Sequence, residues 1–180
     1  MILVRGPFTG LIPSLPTPFR DDESLDLDSL DRLIRFDIAA GADAVTVLGP
    51  LGEANRLTDA ERSSVIRAAV AAAGHVPVIV GTSHPGTSAS IALARQAFAP
   101  GAAAIMVTPP AHSPPSERII VEYFERIAAG VALPIVLQDE PAVSQVHLAL
   151  DLILRLAREV PSITAIKAEA LPSRTCSSAW

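Results

Sequence analysis

Lysine and cysteine are nearly absent from this sequence. One of its 14 basic residues is a lysine, Lys167, and the single cysteine, Cys176, has no partner for an internal disulfide. The formal net charge is −5 and no basic run occurs, so the clustered Lys and Arg of a nucleic-acid surface are missing. Only four apolar residues precede Arg5, too few for a signal segment or a spanning helix. We therefore expect a cytoplasmic protein that binds neither nucleic acid nor membranes, and no Cys–His or carboxylate cluster suggests a metal.

The sequence alternates short β-type runs with amphipathic helical segments. Runs such as VIVG and PIVLQ are apolar without alternation, which is typical of strands buried on both faces of a parallel sheet. The predicted strands are Gly10–Pro13, Ala44–Leu48, Val78–Gly81, Ala103–Val107, Ile135–Gln138 and Ile163–Lys167. The predicted helices are Leu27–Ala40, Thr58–Ala73, Thr87–Ala99, Ser116–Ala129 and Ala149–Glu159. This pattern predicts an α/β fold.

Capping residues mark most of the predicted helix ends. Those suited to N-caps are Asp26, Thr58, Thr87 and Ser116, and Glu61 stands where it completes a capping box with Thr58. Glycines expected to adopt left-handed backbone at the helix C-termini are Gly41, Gly74, Gly101 and Gly130.

The spacing of the predicted strands favours a (β/α) barrel over an open doubly wound sheet. Strands begin roughly 25 to 34 residues apart, the length of one strand and its crossover helix. No Gly-x-Gly-x-x-Gly fingerprint opens the first helix. A complete eight-unit barrel needs about 250 residues. The chain, with about six units, is therefore interpreted as an incomplete barrel over residues 1–173, followed by an irregular tail, 174–180.

Lys167 stands at the end of the last predicted strand, in ITAIKAEA. Barrel enzymes place their chemistry on the loops that follow the carboxyl ends of the strands, and here those loops are rich in Gly, Pro, Ser and Thr. A lysine at such an end raises the question of a functional role, although an arginine-preferring composition could also leave one lysine there by chance.

Six motifs in order resemble those of the dihydrodipicolinate synthase and N-acetylneuraminate lyase family. They are GLIPSLPTPF, GPLGEANRLTDAER, VIVGTS, IMVTPP, LPIVLQDEP and ITAIKAEA, and they run from about residue 8 to residue 171. The resemblance implies an eight-unit barrel in which Lys167 forms an imine with a 2-keto acid, usually pyruvate, without a separate cofactor. A partly desolvated amine is nucleophilic, whereas arginine stays protonated. Homo-oligomers are common in the family, so self-association is possible here.

The loop implied to bind the keto-acid carboxylate departs from the family pattern. The family's Gly-Thr-Thr-Gly-Glu is here Gly49, Pro50, Leu51, Gly52 and Glu53. Both threonine hydroxyls are lost, and proline has no N–H to donate. The resemblance still assigns these five residues to substrate binding, while the lost donors predict an atypical substrate. Glu53 is also placed to pair with Arg56 as a purely structural contact.

The proton relay implied by the family is altered as well. Its Tyr-Asn-x-Pro is here Gln138-Asp139-Glu140-Pro141, so Gln138 and Asp139 take the catalytic positions beside Lys167. An amide does not transfer a proton, and Asp139, one position along a strand, is expected to point to the opposite face. His84 and His112 on nearby loops are further acid–base candidates, or solvated loop residues. Tyr123, mid-helix, is expected to pack in the core.

Two functions follow from these observations. The first is a Schiff-base lyase or aldolase acting on pyruvate or another 2-keto acid. The alternative is a catalytically inactive truncated member or a non-enzymatic partner, because the proton relay and the last units are missing. A phosphate-binding barrel enzyme is less favoured, since such sites use the loops after the seventh and eighth strands.

Overall fold

The structure, a computed structural model, describes residues 2–3, 8–111 and 116–169. Its strands are β1 (Ile2–Leu3), β2 (Val45–Val47), β3 (Val78–Gly81), β4 (Ala104–Val107), β5 (Ile135–Asp139) and β6 (Ile163–Ala168). Its α-helices are α1 (Leu27–Ala39), α2 (Asp59–Ala73), α3 (Thr87–Phe98), α4 (Glu117–Gly130), α5 (Pro141–Ser144) and α6 (Leu150–Glu159). A short 3₁₀ turn spans Ala54–Arg56.

Strands β2 to β6 form a parallel sheet in which neighbours in space are also neighbours in sequence. A doubly wound sheet reverses its strand order at a switch point, whereas a barrel does not. The observed order therefore supports the barrel type and confirms the predicted α/β class. The carboxyl ends of these strands all lie at one edge.

The sheet is apolar on both faces, as its unalternating strands predicted. One face packs on the helices through a large cluster that includes Val45, Ile105 and Leu137. The other carries a smaller cluster of mostly short side chains: Phe8, Ala44, Ile79, Ala104, Met106, Val136 and Ala165. Small residues on this inner face leave room for a cavity.

The prediction of a regular first strand at Gly10–Pro13 is wrong. This segment runs alongside β2, where Asp43 N–H donates to Leu11 O at 2.8 Å and Thr46 N–H donates to Pro13 O at 2.8 Å. Only Ser14 and Thr46 form a bridge. The prolines at positions 13 and 16 have no N–H, so they interrupt the ladder that a regular strand would need.

The sixth strand has a partner on its outer edge. β1 lies antiparallel to β6, with Ile2 opposite Ile166 and Leu3 opposite Ala165. A covered edge has fewer unpaired backbone groups available for aggregation.

Most predicted helix caps are confirmed, with two exceptions. Thr58 and Glu61 form the capping box, and Asp26 and Ser116 each accept a backbone N–H of the first turn. Gly41, Gly74 and Gly101 have positive φ. At α3 the N-cap is Gly86 rather than Thr87. Gly130 is the last residue of α4 and does not have positive φ. A Cβ there would lie 2.8 Å from the Ile91 side chain, so this glycine allows close packing of α4 against α3.

Candidate active site

Two adjacent cavities open at the carboxyl edge of the sheet. The smaller, about 330 Å³, lies on the inner face and includes Thr46, Met106, Val136, Lys167 and Glu169 in its wall. The larger, about 720 Å³, is formed by the loops that follow the strands. Its lining residues are Leu48, Gly49, Pro50, Glu53, Ala54, Asn55, Arg56, Arg62, Gly81, Ser83, His84, Pro85, Met106, Thr108, Gln138 and Val143. Met106 lines both, so the two spaces share a wall.

A β-bulge turns Lys167 toward the smaller cavity. Ile163 packs on the helix side of the sheet, and in a regular strand a residue four positions later faces the same side. Ile163 pairs with Ile135 and Ala165 pairs with Val136, so Thr164 is an extra residue in β6. That extra residue reverses the alternation, and Lys167 reaches the inner face opposite Gln138. The side chain of Lys167 is 29% exposed, which makes it partly desolvated.

Four side chains, here called the Lys167 network, form a continuous polar chain at this point. Lys167 Nζ lies 3.0 Å from Glu169 Oε1. The amide nitrogen of Gln138 donates to Glu169 Oε2 at 2.9 Å and to Glu140 Oε2 at 2.6 Å. Gln138 is fully buried, and its carbonyl Oε1 has no partner among the described residues.

The two carboxyl groups next to Gln138 in sequence have different surroundings. Burial raises the pKa of Glu140, the carboxylate of Glu169 raises it further, and Lys167 lowers it. Asp139 lies on the other face of β5, as expected from strand alternation, and lines neither cavity. Burial also raises the pKa of Asp139, with His147 lowering it and Glu169 raising it. Glu140 also lines neither cavity, but it is the carboxyl group of this pair that accepts a hydrogen bond from Gln138.

The loop after β2 is tightly folded against β3. A Cβ on Gly81 would lie 2.0 Å from Leu48 O, so only glycine allows this approach. Leu48 itself has φ 57°, a left-handed conformation that costs energy in a branched residue. The loop is thus held in place by backbone contact and carries strain at the cavity wall.

Of the five residues of this loop that the sequence assigns to substrate binding, three line the larger cavity and two do not. Gly49, Pro50 and Glu53 line the larger cavity. Leu51 is 59% exposed, and the Gly52 carbonyl accepts a hydrogen bond from the Thr17 hydroxyl at 2.7 Å. Glu53 pairs with Arg56 at 2.8 Å, the structural contact that the sequence also suggested.

Two further side chains, His84 and Arg62, line the larger cavity, whereas Tyr123 lies outside it. His84 is exposed in its wall, with Nδ1 accepting the Gly86 N–H at 2.9 Å. Arg62 reaches the same wall, and burial lowers its pKa. Tyr123 packs in the core as predicted, its hydroxyl donating to His84 O at 2.9 Å. His112 lies outside the described residues.

Sequence reasoning missed Glu140 and Glu169. Both occur in the motifs that contain Gln138 and Lys167, two residues beyond each of these in sequence. Side chains two apart in a strand share a face, so this spacing was a usable signal.

A profile of the dihydrodipicolinate synthetase family matches residues 7–174. The chain belongs to this family. The predicted membership is thereby confirmed, and the fold is an incomplete (β/α)₈ barrel. Within the described residues, no three His, Cys, Asp or Glu side chains come together as metal ligands, and no helix has the length and apolar character needed to cross a bilayer.

Three similar proteins illustrate the family. A 4-hydroxy-tetrahydrodipicolinate synthase from Salinibacter ruber is 38% identical over 161 residues, covering 89% of this chain and 53% of that protein. An L-2-keto-3-deoxyarabonate dehydratase from Azospirillum brasilense is 38% identical over 164 residues, covering 89% and 53%. A prophage protein of the family from E. coli K12, solved in complex with pyruvate, has a TM-score of 0.86 and 35% identity, covering 91% and 55%. The chain thus spans about half the length of these relatives.

Proposed function

We propose that the protein is a Schiff-base lyase whose Lys167 condenses with pyruvate or another 2-keto acid. The observation that carries this proposal is the position of Nζ, inside a cavity at the carboxyl edge of the sheet and 3.0 Å from a carboxylate. The pyruvate complex of the E. coli relative supports the substrate class. No separate cofactor is required, because the imine itself withdraws electrons from the neighbouring carbon.

The chemistry starts from the Lys167–Glu169 ion pair. The ammonium has to lose a proton before its nitrogen can attack a carbonyl carbon, and the Glu169 carboxylate lies within reach to accept it. Attack forms the C–N bond, water leaves, and the resulting iminium keeps a positive charge beside Glu169. This charge accepts the electron pair of a C–C or C–H bond that breaks at the adjacent carbon. Loss of the C–H proton in turn allows a carbon–oxygen bond one position farther along the substrate to break.

Substrate recognition in this chain differs from the pattern implied by the family loop. Pro50 has no N–H and Leu51 points to solvent. The hydroxyls of Ser14 and Thr46 line the smaller cavity, and those of Ser83 and Thr108 line the larger one. We propose that these groups, rather than the loop after β2, bind the polar atoms of the keto acid.

A borohydride trapping experiment tests the proposal with unusual clarity, because the chain has a single lysine. Incubation with pyruvate and borohydride should add the mass of one reduced pyruvate to the intact protein. Lys167→Arg keeps the positive charge but offers no neutral amine, so this variant should show no added mass. Borohydride without keto acid is the second control.

Two results would refute the imine. One is the absence of any adduct with pyruvate and with longer 2-keto acids. The other is an adduct of equal yield in Lys167→Arg, which would place the reaction on the terminal amine instead. In either case the inactive or partner function would be favoured.

A further inference from the structure

The orientation of the Gln138 amide is fixed by its neighbours in the Lys167 network. Its nitrogen donates to Glu169 Oε2 at 2.9 Å and to Glu140 Oε2 at 2.6 Å. Glu169 is ion-paired with Lys167, and an ionised carboxylate only accepts hydrogen bonds. An amide turned the other way would set its oxygen against that carboxylate, so the nitrogen faces the glutamates and the oxygen occupies the other branch of the amide.

The carbonyl oxygen of this amide lacks a hydrogen-bond donor. Gln138 is fully buried, and its Oε1 has no partner among the described residues. The residue borders the larger cavity, so a ligand there can supply the donor. A buried acceptor without a donor is costly, and a ligand that donates a hydrogen bond here therefore gains more than one that covers the oxygen with a methyl group.

A small ligand joined to Lys167 comes within reach of this oxygen. Gln138 and Lys167 lie opposite each other on the paired strands β5 and β6, and both contact the carboxylate of Glu169. The two cavities that they border share Met106 as a wall. A ligand of a few carbon atoms on Nζ therefore extends from the smaller cavity toward Gln138.

The charges around Lys167 decide which end of a keto acid turns to Gln138. The imine carbon of a 2-keto acid carries two groups, a carboxylate and carbon C3. The carboxylate is negative and only accepts hydrogen bonds, so Glu169 and the Gln138 oxygen both repel it. The hydroxyls of Ser14 and Thr46 in the smaller cavity offer it donors instead. The C3 end is thus the end that faces Gln138.

We propose that Gln138 is a specificity-determining residue that selects 2-keto acids with a hydroxyl on C3 over those with an alkyl group there. The hydroxyl donates to Oε1, whereas an alkyl group keeps water from this oxygen and leaves it unpaired. Gln138 acts through its oxygen in this selection and transfers no proton. The inference rests on the imine proposed for Lys167 and requires no further bond of the keto acid to break.

Two keto acids of nearly equal size, 3-hydroxypyruvate and 2-ketobutyrate, provide the test. They differ by a hydroxyl in place of a methyl group on C3. Borohydride trapping over a range of concentrations gives the half-saturating concentration of each on the full chain. The same pair trapped on Nα-acetyllysine measures their difference in intrinsic reactivity, which is divided out. The protein should then favour 3-hydroxypyruvate by about 5- to 150-fold, the range expected when one buried acceptor is paired or left unpaired.

Three variants separate the oxygen of Gln138 from the rest of the network. Gln138→Met keeps the length of the side chain without its carbonyl, so it should lose the preference but still form the pyruvate adduct. Glu169→Gln leaves the Gln138 oxygen in place, so it should slow trapping of both keto acids by the same factor and keep the preference. Glu159→Gln, which alters an exposed ion pair on α6, is the surface control and should match wild type.

The ratio of the two keto acids is a result that a purely structural role of Gln138 would not change. Equal corrected trapping of the two by the wild-type chain overturns the inference, and so does a preference that survives in Gln138→Met. If the wild-type chain traps pyruvate without any preference, the imine stands and the selection by Gln138 is wrong. Absence of every keto-acid adduct removes both.

A crystal structure of the reduced 3-hydroxypyruvate adduct gives a second test that needs no variant. The ligand hydroxyl should lie about 2.5–3.0 Å from Gln138 Oε1. A hydroxyl that donates to another group, with Oε1 still unpaired, would contradict the proposal.

Discussion

Asp139 is a carboxyl group placed where ionisation is unfavourable. It is 1% exposed, and its Oδ1 has no hydrogen-bond partner among the described residues. Burial raises its pKa in the folded state. A raised folded pKa means that the folded protein holds this proton more tightly than the unfolded chain does. Its contribution to stability is therefore present below the unfolded pKa and is lost as pH rises through the folded value.

Replacing this group by its neutral isostere should stabilise the protein at neutral pH. We expect Asp139→Asn to raise the free energy of unfolding by on the order of 1 kcal/mol at pH 7, the scale of a buried polar group that lacks a partner. The gain should vanish below about pH 4, where the wild-type carboxyl is protonated in both states. Urea denaturation at the two pH values measures it. Asp151→Asn, exposed on α6, should show no comparable gain, and a pH-independent gain in Asp139→Asn would contradict the assignment.

At the scale of elements, the contact between β3 and the loop after β2 fixes the wall of the larger cavity. We expect Gly81→Ala to destabilise the protein by about 1–3 kcal/mol, because its Cβ would meet the Leu48 carbonyl at 2.0 Å and backbone has to move. The displaced loop should also reduce the yield of borohydride trapping. Denaturant midpoints and intact masses report the two effects.

Gly86→Ala provides the comparison for this substitution. It lies in the loop after β3, and its added Cβ would meet its nearest neighbour, His84 Nδ1, at 3.4 Å, an ordinary contact. We expect little change in either stability or trapping. If Gly81→Ala and Gly86→Ala had equal effects, the close approach at Leu48 would not be what determines the conformation of the loop.

Local chemistry explains which elements the sequence could predict. Thr58 and Glu61 begin α2 as expected because a capping box is satisfied by residues three apart, without help from the rest of the molecule. The prediction of a left-handed backbone at Gly130 was wrong because the role of this glycine depends on packing against Ile91 of another helix. The face of β6 on which Lys167 lies could not be predicted either, because it depends on Thr164 being an extra residue relative to β5. An extra residue is defined only once the two strands are paired.

The same distinction holds within the candidate site. Motif order was sufficient to predict Lys167 and Gln138 as candidate site residues. The bond from Gln138 to Glu169, 31 residues apart in sequence, could not, because it exists only once β5 and β6 lie side by side. The chain of contacts from Lys167 through Glu169 and Gln138 to Glu140 is likewise a product of strand pairing, which no local pattern encodes.

At the scale of the whole molecule, a parallel sheet gathers chemistry from distant sequence at one edge. β2 to β6 all end there, and residues from Gly10 to Glu169 surround two cavities that share Met106. Large apolar residues on the helix side provide the core, while small residues on the inner side leave space for a ligand. This division of the two faces is what allows a sheet buried on both sides to hold a partly exposed amine.

A crystal structure of the protein after reduction with borohydride and pyruvate tests the central claim most directly. The account predicts continuous electron density from Lys167 Nζ to the former carbonyl carbon, with the ligand in the cavity beside Gln138. An unmodified Lys167 still paired with Glu169, in crystals whose protein carries the added mass, would contradict it.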